Sequence, residues 1–104
     1  MKIPENLNIS GVNYAIILCT DRGQVDNGSN LDGLISFGNQ EIRLFVGDKN
    51  KDRLQTVFLH EMLHGIAEAY GLDCFDSEQG HKDLDILSHG LWDTFSRNNL
   101  LRSE

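Results

Sequence analysis

The stretch from Arg53 to Tyr70 constrains this chain more than any other. It holds no proline, and Gly65 is its only glycine, so nothing in it breaks a helix. Leu54, Phe58, Leu59, Met62, Leu63, Ile66 and Ala69 leave it little polar surface. A helix that is apolar nearly all round has to be buried, so the remaining residues must wrap it. Gly71 supplies a stop signal after it, and Asp48, Asn50 or Asp52 a cap before it. Asp48, Asn50 and Asp52 also alternate like the opening of a calcium loop. Arg53 then stands where the turn glycine belongs and Leu59 where the bidentate glutamate belongs, which excludes calcium.

Polar residues inside so apolar a helix need a reason, because unpaired buried imidazoles are costly. They read His60-Glu61-Met62-Leu63-His64. Residues four apart lie one turn apart on one helix face, so His60 and His64 are spaced to hold one metal ion. Neutral imidazole suits Zn2+, and Glu61 beside them is a carboxylate free to act as a general base toward water. This is the His-Glu-x-x-His pattern of zinc-dependent hydrolases. Two core histidines satisfied by backbone or carboxylate partners would be the bland alternative.

The segments before this helix read as strands. Leu7-Asn8-Ile9 alternates like a short edge strand, and Gly11 offers a turn. Val12 to Thr20 is a second strand, whose apolar run Tyr14 to Cys19 implies a central place and burial on both faces. Asp21 to Gly33 is rich in Asp, Asn, Gly and Ser, and reads as a loop and candidate flap with its turn at Asp26-Asn27-Gly28. Leu34 to Phe37 and Glu41 to Val46 then form a β-hairpin across Gly38-Asn39-Gln40. The expected fold is α+β: a small antiparallel sheet of three to four strands packed on two main helices.

The second helix starts at Asp76 or Ser77 and runs to Asn98 or Asn99, with Leu84, Leu87, Leu91 and Phe95 at helical spacing. Leu100 to Glu104 is expected to fray. A zinc site that keeps a position for water has three protein ligands. His81, Asp85 and His89 lie i, i+4, i+8 on one stripe of this helix, so each is a candidate third ligand. Asp85 is favoured because it lies nearest mid-helix, beside Leu84 and Leu87, where an unpaired carboxylate would be costly. His89 is the softer ligand, His81 a further option, and Asp83 lies on another face.

With 104 residues, positions 1–104 form a single domain with one core. A net charge of −7 argues against nucleic-acid binding, which needs a basic face. No basic-then-apolar leader opens the sequence, and no apolar run is long enough for a membrane span. Cys19 and Cys74 form no C-x-x-C pair and read as reduced packing residues, so a cytoplasmic protein is expected. Oligomeric state is left open.

The hairpin before Ile42, the segment from His60 to Gly71-Leu72, and the second helix together resemble the small phage- and prophage-type zincin-like proteins related to the ImmA/IrrE metallopeptidases. The resemblance covers most of the chain. It implies a minimal gluzincin, with antiparallel strands, a His-Glu-x-x-His helix and a second helix that supplies an acidic ligand. That family's Glu, followed three and four residues later by Ala and Asn, aligns here with Asp85, Ser88 and His89. The resemblance therefore implies His60, His64 and Asp85 as metal ligands, with His89 as an alternative or additional one. It implies Zn2+ as cofactor and a zinc-dependent metallopeptidase acting on a protein or peptide, with Glu61 as general base. The strand Glu41 to Val46 would bind an extended substrate by β-addition. The rival expectation is a non-catalytic, zinc-stabilised interaction module, whose site Asp85 and His89 together would close.

Overall fold

A computed structural model describes residues 1–27 and 30–100. The elements are β1 (Asn6–Ile9), β2 (Val12–Cys19), α1 (Arg22–Val25), β3 (Gly33–Ser36), β4 (Glu41–Phe45), α2 (Lys51–Ala69) and α3 (Glu78–Arg97). The α+β class holds: a four-stranded sheet is packed on two main helices. The sheet is mixed, however. Its order is β1-β2-β4-β3, with β1–β2 and β3–β4 antiparallel and β2–β4 parallel. The chain leaves β2, crosses through α1 and β3, and returns as β4 between β2 and β3. A crossover of this kind gives a parallel neighbour.

Tyr14, Ile42 and Leu44 form the sheet side of the core, joined by Ile9 and by Val57 and Phe58 of α2. Helix α2 lies against β1, β3 and β4 on one side and α3 on the other, which explains why it is apolar nearly all round. Its cap is Asn50, whose side chain accepts from the Arg53 amide, and Gly71 follows it at φ +71°. Helix α2 covers one face of the sheet and α3 rests on α2, and β2 is not buried on both faces as expected: Val12 and Leu18, on the same face as Tyr14, are exposed near its two ends. Cys19 is buried, but Cys74 is exposed rather than packed.

Helix α3 begins at the cap Ser77 and ends at Arg97, with Asn98 as its C-cap. Its buried stripe differs from the expected leucine row. Gly80, Leu84 and Ser88 are buried, while Ile86 and Leu87 are exposed. The Ser88 hydroxyl is satisfied by donating to the Leu84 carbonyl. Gly80 is required there, since a Cβ on it would run into the Cys74 carbonyl. The expected fray beyond Leu100 involves residues 101–104, outside the described residues. The turn expected at Asp26-Asn27-Gly28 reaches Gly28, which also lies outside them.

The connector after β2 contains a short helix that the loop expectation did not include. The Asp21 side chain accepts from the Gly23 amide, and Gln24 reaches back to the amides of Thr20 and Asp21. That is a capping box, written in the sequence as Asp21-x-x-Gln24. Arg22 of this turn lies 4.1 Å above the Phe45 ring and bonds Asp32 at 3.0 Å. Arg53 of α2 bonds the other Asp32 oxygen at 2.8 Å. Asp32 thus ties the start of β3 to both α1 and α2.

Burial raises the pKa of Asp32, but the two guanidiniums outweigh it and the net shift is downward. A carboxylate depressed in the folded state contributes stability above its unfolded pKa and loses it as pH falls through the folded value. Asp32→Asn is therefore expected to be less stable than the parent at pH 6. That gap should close on acidification below about pH 4, the unfolded Asp range. Urea denaturation of both proteins from pH 6 to pH 2.5 checks this; a gap independent of pH would assign the effect to geometry rather than charge.

Candidate metal centre

Three imidazoles converge between α2 and α3. The ligand atoms of His60, His64 and His81 all lie within 4.8 Å of one another, and Nε2 of His60 is 3.2 Å from Nε2 of His81. Two nitrogens on one tetrahedral zinc, at about 2.0–2.1 Å each, stand roughly 3.3 Å apart. A hydrogen bond between imidazoles would account for that one pair but not for the third ring, whose centroid is 4.9 Å from that of His60 and 5.2 Å from that of His81. His60 and His64 come from consecutive turns of α2, and His81 from the first turn of α3.

Asp85, expected as the third ligand, does not join this convergent set. Its Oδ1 lies 3.5 Å from Nδ1 of His60, on the side of that ring away from the other histidines. His89 lies farther out, with Nε2 3.7 Å from Oδ2 of Asp85. The order is therefore triad, then Asp85 behind His60, then His89 behind Asp85. A carboxylate on the far nitrogen of a ligating histidine fixes its tautomer and orientation. The physical reason for the difference is where α3 starts along α2. Gly80 seats the N-terminus of α3 against the Cys74-Phe75 backbone, which brings its first turn, and so His81, to the level of His60 and His64.

Electrostatics favour the metal-binding form of His60 and His64. Burial, followed by the neighbouring His64 and His81, pushes His60 down to about 4, although Asp85 acts in the opposite direction. Burial and His81 also lower His64, against the pull of Asp76. Neutral imidazole is the form that ligates. The donor set thus fits a borderline-soft divalent ion: three imidazole nitrogens in reach of one point, one ring backed by a carboxylate.

Glu61 is buried, 7% exposed, and does not belong to the triad. Burial raises its pKa to about 7, partly offset by a hydrogen bond from the Ile35 backbone amide. Gly33 makes room for it, because a Cβ there would stand 2.5 Å from Cγ1 of Val57 and 3.0 Å from Oε2 of Glu61. Gly33→Ala is expected to displace the Glu61 carboxylate and to cost about 1–3 kcal/mol through overpacking. Thermal denaturation would read the stability. A changed titration of the Glu61 carboxyl resonance would report the moved group, and an unaltered protein would exclude the close fit.

Triad and Glu61 share a cleft of about 420 Å³ with Leu31, Asp32, Gly33, Leu34, Ile35, Phe37, Val57 and Arg53. One wall is therefore β3, which lies at the sheet edge. The strand expected to take a substrate, Glu41 to Val46, is instead interior, with β2 on one side and β3 on the other. Family models, curated proteins and solved structures yield no match to this chain. Among the described residues no helix is long and apolar enough to cross a membrane.

Proposed function

We propose that the chain is a zinc-dependent metallopeptidase with His60, His64 and His81 as its metal ligands and Glu61 as its general base. The observation that carries this reading is three imidazoles meeting beside a buried carboxyl of raised pKa, at the wall of an open cleft. A bound zinc ion supplies Lewis acidity, lowering the pKa of water and polarising a carbonyl oxygen. A carboxyl that titrates near 7 can take a proton from the attacking water and later give it to the departing amine. Ile35 holds that carboxyl by its amide, and Asp85 orients the His60 ring.

An extended substrate pairs with β3. The Phe45 amide donates to the Asp32 carbonyl, so by antiparallel alternation Leu34 and Ser36 bond β4, while Gly33 turns its backbone groups and Ile35 its carbonyl outward, the Ile35 amide being taken by Glu61. This is the geometry of β-addition, moved one strand outward from the sequence expectation. The reading agrees with the zincin-like resemblance except in the third ligand.

The test is cleavage of unfolded protein substrates by zinc-loaded protein, with and without a chelator. Chelation should abolish cleavage and zinc should restore it. Glu61→Gln should bind zinc and cut at least about 100-fold more slowly, the contribution of a general base. If Glu61→Gln leaves the protein's activity untouched while His60→Ala abolishes it, zinc is structural and the peptidase reading fails.

A further inference from the structure

The cleft that leads to the triad is apolar on one side. Leu31, Leu34, Ile35, Phe37 and Val57 line it, and Leu31 and Phe37 are each 42% exposed at its rim. On that side Asp32 is already engaged, by Arg53 at 2.8 Å and by Arg22 at 3.0 Å. A cavity of about 420 Å³ is within the range that encloses a ligand rather than a solvent molecule. Beside it, Gly33 presents its backbone groups and Ile35 its carbonyl outward, and an extended polypeptide satisfies a strand edge of that kind. In a paired strand, alternate side chains point to the same face, so one side chain of such a segment faces the cleft.

From this we infer that the occupant is an extended polypeptide segment that places a bulky apolar side chain, Leu or Phe in size, between β3 and α2 next to the three histidines. This deepens the peptidase reading by naming its substrate class, and it rests on that reading for the role of the bound segment. An aspartate at that position would lose its hydration among these apolar side chains and beside Asp85, which also lines the cleft. Alanine would leave the cavity unfilled.

The probe is a set of fluorescent, otherwise Ser/Thr/Gly decapeptides that carry Phe, Leu, Ala, Asp or Lys at one central position. They are titrated into the full zinc-loaded chain bearing Glu61→Gln, which binds without cutting. Phe and Leu peptides should bind at least about tenfold tighter than Ala or Asp peptides. Phe37→Ser, at a half-exposed rim position that folding does not depend on, should reduce this preference to about threefold or less. Amide shifts on binding should centre on Gly33 and Ile35. Equal affinity for Phe and Asp peptides, no peptide binding, or shifts confined to another surface would each overturn the inference. The same peptides are offered in parallel to protein with Glu61 intact. Cleavage without preference sinks this inference and leaves the peptidase; selective binding without cleavage does the reverse.

Discussion

His81→Ala is expected to abolish zinc binding as completely as His60→Ala or His64→Ala, whereas Asp85→Ala should weaken it only about 10- to 100-fold. The difference follows from which atoms converge. Removing His81 deletes one of three nitrogens that lie within 4.8 Å of one another. Removing Asp85 deletes the carboxylate 3.5 Å behind His60, so the ring loses its orienting partner but keeps its ligand nitrogen. Asp85→Asn should lie between the parent and Asp85→Ala, since it keeps a polar oxygen on the Nδ1 side of the ring but loses the charge. Competition with a chromophoric chelator measures the affinities. Cobalt substitution adds a spectrum whose intensity reports coordination number and should survive Asp85→Ala. If Asp85→Ala abolished binding while His81→Ala preserved it, the acidic third ligand implied by the zincin-like resemblance would be right and the three-histidine set wrong.

Leu84→Ala should be the most damaging single truncation outside the sheet core. Leu84 is fully buried, and α3 rests chiefly on α2. A buried Leu→Ala change costs about 2–5 kcal/mol, the spread depending on how far the cavity collapses. Collapse is limited here, because Gly80 already holds the start of α3 against backbone and Ser88 is packed at 0% exposure one turn on. For a domain of this size each kcal/mol moves Tm by about 4–8 °C, so a fall of 10 °C or more is expected in the metal-free protein. Zinc should recover part of it. An ion held by His60 and His64 from α2 and by His81 from α3 binds the native arrangement alone, and at 1,000 times its Kd such an ion adds about 4 kcal/mol. Melting curves with and without zinc check both effects. A Tm unchanged by Leu84→Ala would mean that the seam is not where α3 gains its stability.

Helix α2 was the most legible element. Its composition required burial, its caps lay within the proposed choices, and its His-Glu-x-x-His pattern did bring two rings to one site. The hairpin of β3 and β4 and the start of α3 at Ser77 were equally local matters of turn and cap chemistry. The short helix α1 was legible too, through Asp21 and Gln24, but was hidden by the loop-like residues around it. The parallel β2–β4 pair was not legible, because strand periodicity gives a strand its faces and not its neighbours. Nor was the third histidine. His81, Asp85 and His89 share one stripe, and spacing alone cannot tell which one meets α2. That depends on how far α3 is displaced along α2, a tertiary quantity fixed by the contact of Gly80 with the Cys74-Phe75 backbone.

The place of β4 between β2 and β3 also bears on the order in which the molecule assembles. The β3–β4 hairpin closes a loop of only a few residues, whereas the β2–β4 pairing must close across α1 and β3. Local pairing forms readily, and the longer closure is slower. Among the described residues β3 pairs with β4 alone, so β3 joins the sheet through β4 while it also rests directly on α2. A chain in which the hairpin has formed but not yet docked holds Glu61 without the Ile35 amide and without a wall beside the histidines. The cleft therefore comes into being with the last pairing of the sheet, and folding kinetics followed at the Ile35 amide should coincide with the slow phase rather than precede it.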